Sequence, residues 1–243
     1  MPELTVLGSC GAWPEPGRAC SGFLLDHDGF RVVLDLGYGT AARLLARCPD
    51  GAVDAVVITH EHPDHCADLS ALGRVRYYTG AARLPLYCPP GVLRVLAAME
   101  PRPDPHAVFE VHELGAAARL GPLRLTGFPL PHHVPNRGVR LEAPGLSLAY
   151  TGDTGPAPAL TDLAAGTDLF IAEATLQGPA PATGPRYLLT ASEAGEVAAA
   201  AGAGRLLLTH FWPGSDRAVS VREARAEFGG PVLAATEDLV VPL

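Results

Sequence analysis

The chain has 243 residues, 48% of them hydrophobic, with a formal net charge of −8 and all 18 basic residues arginine. That length suits one large domain or two intimately packed halves, and residues 1–243 are read as a single domain with a sizeable core. An acidic chain with scattered Arg excludes a general binder of long nucleic acid, which needs cations to neutralise phosphates, and the missing Lys excludes Schiff-base and P-loop chemistry.

Residues 3–7 read as a strand. Residues 22–26 and 30–34 flank an Asp28-Gly29 turn, a hairpin signal. A helix is expected after Gly37-Tyr38-Gly39, with Thr40 as its N-cap and residues 41–47 behind it. Residues 54–58 form a short apolar run, hence a buried strand, and it leads straight into a histidine cluster. A strand over 84–88 and a helix over 92–99 follow. Strands are predicted over 107–111, 123–129, 137–142 and 146–151, then over 168–171. Thr190-Ala191-Ser192-Glu193 is a capping box whose helix runs to about Ala201 and stops at Gly202. A strand over 205–209 ends on His210. Ser220-Val221-Arg222-Glu223 reads as a second capping box, with its helix ending at Gly229-Gly230, and residues 232–235 form a last strand. Two mixed sheets face to face with helices outside satisfy this α/β (α+β) alternation. Residues 14–17 and 178–185 read as surface loops.

No stretch approaches the roughly 18 apolar residues of a membrane span, and the N-terminus lacks the secretory pattern, so a cytoplasmic protein with no membrane partner is expected. The five Cys (Cys10, Cys20, Cys48, Cys66, Cys88) are odd in number and form no C-x-x-C, which fits reduced structural thiols. Gly8-Ser9-Cys10-Gly11 is not a G-x-S-x-G elbow, so serine hydrolysis has no support. His27, His106 and His112 lie outside any cluster.

The chemistry concentrates at His60-Glu61-His62-Pro63-Asp64-His65. His60, His62, Asp64 and His65 are four ligand-type side chains within six residues. Alternate spacing turns His60 and His62 to one side, while Asp64 and His65 begin the next helix and turn back. Imidazole and carboxylate suit Zn, Mn or Fe. His132 and His133, Asp153 and His210 follow other predicted strands, where α/β folds gather their chemistry.

The cluster resembles the H-x-H-x-D-H motif of the metallo-β-lactamase superfamily. The segments 7–9, 22–24 and 34–40, Pro131-His132-His133-Val134-Pro135, Tyr150-Thr151-Gly152-Asp153-Thr154, Ala172-Glu173-Ala174-Thr175 and Leu208-Thr209-His210-Phe211 resemble the branch containing ribonuclease Z and cyclic-nucleotide phosphodiesterases. The resemblance implies an αββα sandwich and a binuclear site, most simply two zinc ions, with Mn or Fe as alternatives. His60, His62 and His132 would hold one metal; Asp64, His65 and His210 the other; Asp153 would bridge them. His132 is chosen over His133 because the family pattern places the ligand three residues before the Pro, here Pro135. A metal-bridging hydroxide would be the nucleophile, with Asp64 orienting it and accepting its proton. Asp35 would steady a ligand His, and His133 and Trp212 would edge the substrate pocket.

Two departures shape the expected substrate. In ribonuclease Z relatives the Glu at position 173 pairs with a distant His to protonate the leaving group; Glu173 remains, but Ala172 and Leu188 stand at the expected His positions, leaving Tyr187, His133 or water as the donor. The long arm that grips tRNA is absent, with only 20 residues between His132 and Asp153. The reading is a metal-dependent hydrolase of a small phosphodiester, cyclic-nucleotide-like. The alternatives are a hydrolase of a thioester, lactone or other acyl substrate, and a non-catalytic metal-binding protein. Relatives of this kind are often homodimers.

Overall fold

The computed structural model describes residues 2–115, 117–180 and 182–243. They group into two compact units, one ending at Leu114 and regaining Thr236–Pro242, the other Gly115–Ala235 with Leu243. Unit 1 carries β1 (Glu3–Gly8), β2 (Gly22–His27), β3 (Phe30–Leu36), β4 (Ala55–Val57), β5 (Leu84–Cys88) and β6 (Phe109–Glu113). Unit 2 carries β7 (Ala118–Leu120), β8 (Leu123–Leu130), β9 (Asn136–Ala143), β10 (Leu146–Tyr150), β11 (Leu169–Glu173), β12 (Leu206–Thr209) and β13 (Val232–Ala234). The last strand, β14 (Val240–Pro242), returns to unit 1.

Each unit is one seven-stranded mixed sheet, ordered β14-β1-β2-β3-β4-β5-β6 and β13-β12-β11-β10-β9-β8-β7. In unit 1 neighbours are antiparallel up to β3 and parallel from β3 to β6. In unit 2 they are antiparallel from β7 to β10 and parallel from β10 to β13. The parallel portions need crossovers, and helices supply them: α1 (Thr40–Arg47), α2 (Pro63–Cys66), α3 (Leu69–Tyr78), α4 (Pro90–Met99) and α5 (Pro105–Val108) in unit 1; α6 (Ala159–Ala164), α7 (Ala191–Ala201) and α8 (Arg217–Glu227) in unit 2.

The apolar runs explain the buried strands. β4, β11 and β12 are buried at every residue, as strands covered on both faces must be. Leu7, Val33, Leu36, Leu44, Val56 and Leu86 pack in the core of unit 1. The β2–β3 hairpin closes as the Asp-Gly signal predicts, with positive φ at Asp28 (53°) and Gly29 (91°).

Several boundaries differ from the sequence reading. Thr40 is the first residue of α1, not its cap; its hydroxyl donates to the Gly37 carbonyl, and Ala41 N–H donates to the Asp68 carboxylate brought from α3's start. Residues 107–108 belong to α5, because Asp104 caps His106 N–H and Pro105 opens the turn; the strand starts at Phe109. The second capping box is not used: α8 starts at Arg217 behind Asp216, whose side chain accepts from Ala218 N–H, and Ser220 is a buried helix residue. The first box forms in full around Thr190 and Glu193. In the loop 178–185, residue 181 lies outside the described residues, and 179, 180 and 182–185 are exposed. No helix among the described residues is long and apolar enough to cross a membrane.

Candidate metal centre

In unit 1, β3 and β4 run parallel, so their carboxyl ends share one edge of the sheet. Asp35 lies near that end of β3, and the chain leaving β4 carries Thr59 and His60. His62 precedes α2 with extended backbone, and Pro63 opens the helix with its fixed φ, so Asp64 and His65 double back within one turn. His60 Nε2 lies 3.2 Å from His62 Nδ1, and His65 Nε2 lies 3.6 Å from Asp64 Oδ2. The approach is tight: a Cβ on Gly37 would stand 1.9 Å from the Asp64 carbonyl oxygen, so only glycine admits that loop. Ala12 N–H donates to Asp64 Oδ2 at 2.8 Å.

One carboxylate organises this half. Asp35 is fully buried and accepts from Thr59 N–H (2.7 Å), the Thr59 hydroxyl (2.8 Å) and His65 Nδ1 (2.7 Å). Because the Thr59 hydroxyl proton goes to Asp35, Thr59 Oγ1 is left to accept from His60 Nδ1, 3.0 Å away. Both imidazoles are thereby tied at Nδ1, which puts the Nε2 lone pair outward. Asp35 holds this position at some backbone strain: its φ is +55°, in a region few non-glycine residues adopt.

In unit 2, β8 and β10 are each antiparallel to β9, and β11 and β12 continue parallel to β10. All four therefore end at the same edge. His132 follows β8, Asp153 follows β10, Glu173 ends β11 and His210 follows β12. Asp153 turns one oxygen to each of two imidazoles: Oδ1 is 3.2 Å from His210 Nε2 and Oδ2 is 3.7 Å from His132 Nε2. Asn136 fixes the Asp153 backbone, its side-chain amide donating to the Asp153 carbonyl at 2.6 Å.

The same tautomer logic holds here with different parts. His132 Nδ1 donates to the Tyr187 carbonyl at 3.0 Å. The Thr175 hydroxyl donates to Glu173 Oε2 at 2.5 Å, so its oxygen accepts from His210 Nδ1 at 2.8 Å. His210, like Asp35, sits at φ +55°. Glu173 is fully buried and also accepts from Thr154 N–H at 2.6 Å. Burial, and after it the neighbouring Asp153 carboxylate, pushes the Glu173 carboxyl well above the usual carboxylate range.

Four imidazoles thus present Nε2 with Nδ1 already engaged. Within each unit the paired ligand atoms lie 3.2–3.7 Å apart. Two ligands of one tetrahedral ion, with bonds of about 2.1 Å, stand about 3.4 Å apart. The donor set and spacing fit a divalent cation. The thiols do not take part: all five Cys are buried and in no disulfide, and burial pushes Cys66 and Cys88 up to about 12.

His133 is exposed and its ring lies 4.3 Å from that of Tyr187. Trp212 is 44% exposed, two residues beyond His210. Ala172 is buried in β11, and Leu188 is half-buried. Sequence reasoning missed Thr59, Thr175, Ala12 and the Tyr187 carbonyl. Thr175 had a signal, since it is a polar residue just past the end of β11 beside Glu173; a backbone carbonyl has none.

The sequence profile of the Beta-lactamase superfamily domain matches residues 30–211. An uncharacterized protein of Mycobacterium leprae is 37% identical over 242 residues, covering 95% of this chain and 84% of that protein. Ribonuclease Z of Kineococcus radiotolerans is 30% identical over 283 residues, covering 94% of this chain and 90% of that protein. The crystal structure of the metallo-β-lactamase fold protein YhfI from Bacillus subtilis matches with a TM-score of 0.90 at 25% identity, over 100% of both chains.

Proposed function

The chain belongs to the metallo-β-lactamase superfamily, a family of metallo-hydrolases, and from that premise we propose that it hydrolyses a small, cyclic-nucleotide-like phosphodiester at a binuclear metal centre. In this reading His60, His62 and His132 hold one ion, Asp64, His65 and His210 hold the other, and Asp153 is shared. The observation that carries it is the Asp153 carboxylate, with one oxygen toward His210 and the other toward His132. A carboxylate serving a single ion has no reason to divide its oxygens between two imidazoles. Zinc suits the imidazole-rich set; manganese and iron are the alternatives.

Two divalent ions, when bound, supply an acidified water and a positive field for charge building at the scissile centre. The protein's own groups do the rest. Asp64, held at Oδ2 by Ala12 N–H, keeps one carboxylate edge fixed to orient the nucleophile and take its proton. Asp35 and Thr59 fix the tautomers of His65 and His60, and Thr175 fixes that of His210. Glu173 is buried away from solvent, so it acts through Thr175 on His210 rather than by touching substrate.

Relationship to a ribonuclease supports a phosphodiester as the bond broken. The net charge of −8 and the absence of lysine support a small ester over a long nucleic acid. Buried, reduced thiols suit a cytoplasmic setting, and a homodimer is the assembly proposed.

The test is metal analysis with a hydrolysis panel: bis-p-nitrophenyl phosphate, cyclic nucleotides, a thioester and a lactone. Two equivalents of metal, and phosphodiester turnover lost in Asp64→Ala, are expected. Turnover of acyl substrates alone would replace the substrate class, and saturation below two equivalents would overturn the binuclear centre.

A further inference from the structure

Two of the hollows among the described residues of unit 2 bear on the substrate. The larger, about 440 Å³, is lined by Arg119, Arg124 and Glu142 among others. It opens at the ends of β8 and β9 remote from His132, and no imidazole lines it. The smaller, about 260 Å³, is lined by His133, Leu176, Pro185, Arg186, Tyr187 and Leu188. It begins one residue from His132.

We propose that this smaller hollow is a subsite for a flat, uncharged ring carried by the substrate. The inference rests on the metal-centre reading above and adds to it what the substrate must bring. The walls of the hollow are aromatic and aliphatic. The His133 and Tyr187 rings lie 4.3 Å apart at 48°, and His133 stands edge-on to His132 at 5.2 Å. Leu176, Leu188 and Pro185 complete the lining. Such surfaces bind through dispersion and ring–ring contact, which a planar ring maximises.

The single cation in the lining is already engaged. Arg186 donates from both Nη1 and Nη2 to the two oxygens of Glu193, each at 2.5 Å. Glu193 already matches the Arg186 charge, and only the buried Arg186 Nε–H lacks a partner, so a charged ligand group would compete with that fork for the guanidinium. The phosphate therefore belongs at the metal side, near His132, and the uncharged part of the molecule in the hollow.

The hollow is also held in shape. A Cβ on Gly155 would stand 1.9 Å from the Arg186 carbonyl oxygen, so the segment lies flat against the backbone that follows Asp153. Leu176 N–H donates to the Leu189 carbonyl at 3.0 Å, and Ala191 N–H to the Leu176 carbonyl at 3.1 Å. The Tyr187 carbonyl accepts from His132 Nδ1. A ring seated against Tyr187 is thus in fixed register with a metal ligand, as positioning of a reacting group requires.

The test compares phenylphosphonate with methylphosphonate on zinc-loaded protein by calorimetry, beside a zinc titration of the same sample. Phenylphosphonate should bind about tenfold more tightly than methylphosphonate. Tyr187→Ala retains the backbone carbonyl that His132 uses but removes the ring, and should erase that preference. Leu188→Asp should reduce it through lost apolar surface, since any like-charge repulsion acts on both phosphonates alike. Full zinc uptake with equal affinity for the two phosphonates in the wild type overturns the subsite and leaves the metal reading standing. A preference that survives both substitutions overturns it as well. Should zinc uptake itself fail, the metal reading falls, and saturation-transfer NMR with phenol on the metal-free protein decides the subsite. A phenol signal present in the wild type and absent in Tyr187→Ala supports it; no signal in the wild type, or an equal signal in both, removes it.

Discussion

In unit 1 the ligand-type side chains fall within six residues, and one buried carboxylate steadies two of them: Asp35 holds His65 directly and His60 through Thr59. In unit 2 the ligand-type side chains arrive from three strand ends, and each imidazole has its own acceptor, a backbone carbonyl for His132 and a threonine hydroxyl for His210. The first arrangement is compact and correlated, so one change should disturb two imidazoles. The second is distributed, so one change should disturb one.

The largest expected effect is at Asp35. Asp35→Ala leaves Thr59 N–H and His65 Nδ1–H without their acceptor in a fully buried place. It should cost about 3 kcal/mol of stability by urea unfolding and lower zinc affinity about 100-fold in a chelator competition. Thr175→Val keeps the shape and removes one acceptor, so it should lower affinity about tenfold. Equal losses for the two variants would break the contrast between the units.

Glu173 sharpens the contrast through pH. Its carboxyl is raised from 4.5 to about 8, by burial and then by Asp153. The folded, metal-free protein therefore keeps a proton that the unfolded chain has released. Stability should fall as pH rises from 4.5 toward 8, and level off above, where both states are ionised. Urea unfolding of metal-free protein across that range should show the slope, and Glu173→Gln should flatten it. Equal slopes for wild type and Glu173→Gln would mean that Glu173 is ionised in the metal-free fold.

The same difference decides what could be read from the sequence. The unit 1 cluster is contiguous, so spacing alone brought His60, His62, Asp64 and His65 to one place. His132, Asp153 and His210 are far apart along the chain, and only the resemblance joined them into one set. Strand interiors were legible because apolar runs such as Leu169-Phe170-Ile171 have few other uses. Three helices were not. Helix α3 has mixed polarity around its circumference, and α5 and α6 are short turns whose Pro and Asp starts look like loop. The second capping box misled because S-x-x-E also occurs inside helices; Asp216, four residues earlier, had already capped α8. The Tyr187 carbonyl and Ala12 N–H could not be anticipated, since any residue can supply a backbone group.

The smallest effect expected is at Thr190, and it bears on whether unit 2 is distributed at all. Thr190 caps α7: its hydroxyl accepts from Glu193 N–H, and its own N–H donates to Glu193 Oε2. Glu193 in turn holds Arg186, next to the Tyr187 whose carbonyl orients His132. Thr190→Ala should cost about 1 kcal/mol of stability by urea unfolding, the usual worth of a cap. That change also removes the hydroxyl's hydrogen bond to Glu193 Oε2, but the two Arg186–Glu193 contacts and the Leu176–Leu189 hydrogen bond do not pass through the lost group. Tyr187 should therefore stay in place and zinc affinity should stay within about twofold of wild type, as for weakly coupled sites. A tenfold loss would mean that the cap, the fork and the carbonyl act as one anchor. Unit 2 would then funnel through Glu193 as unit 1 funnels through Asp35, and the two halves would differ only in how far apart along the chain their anchors lie.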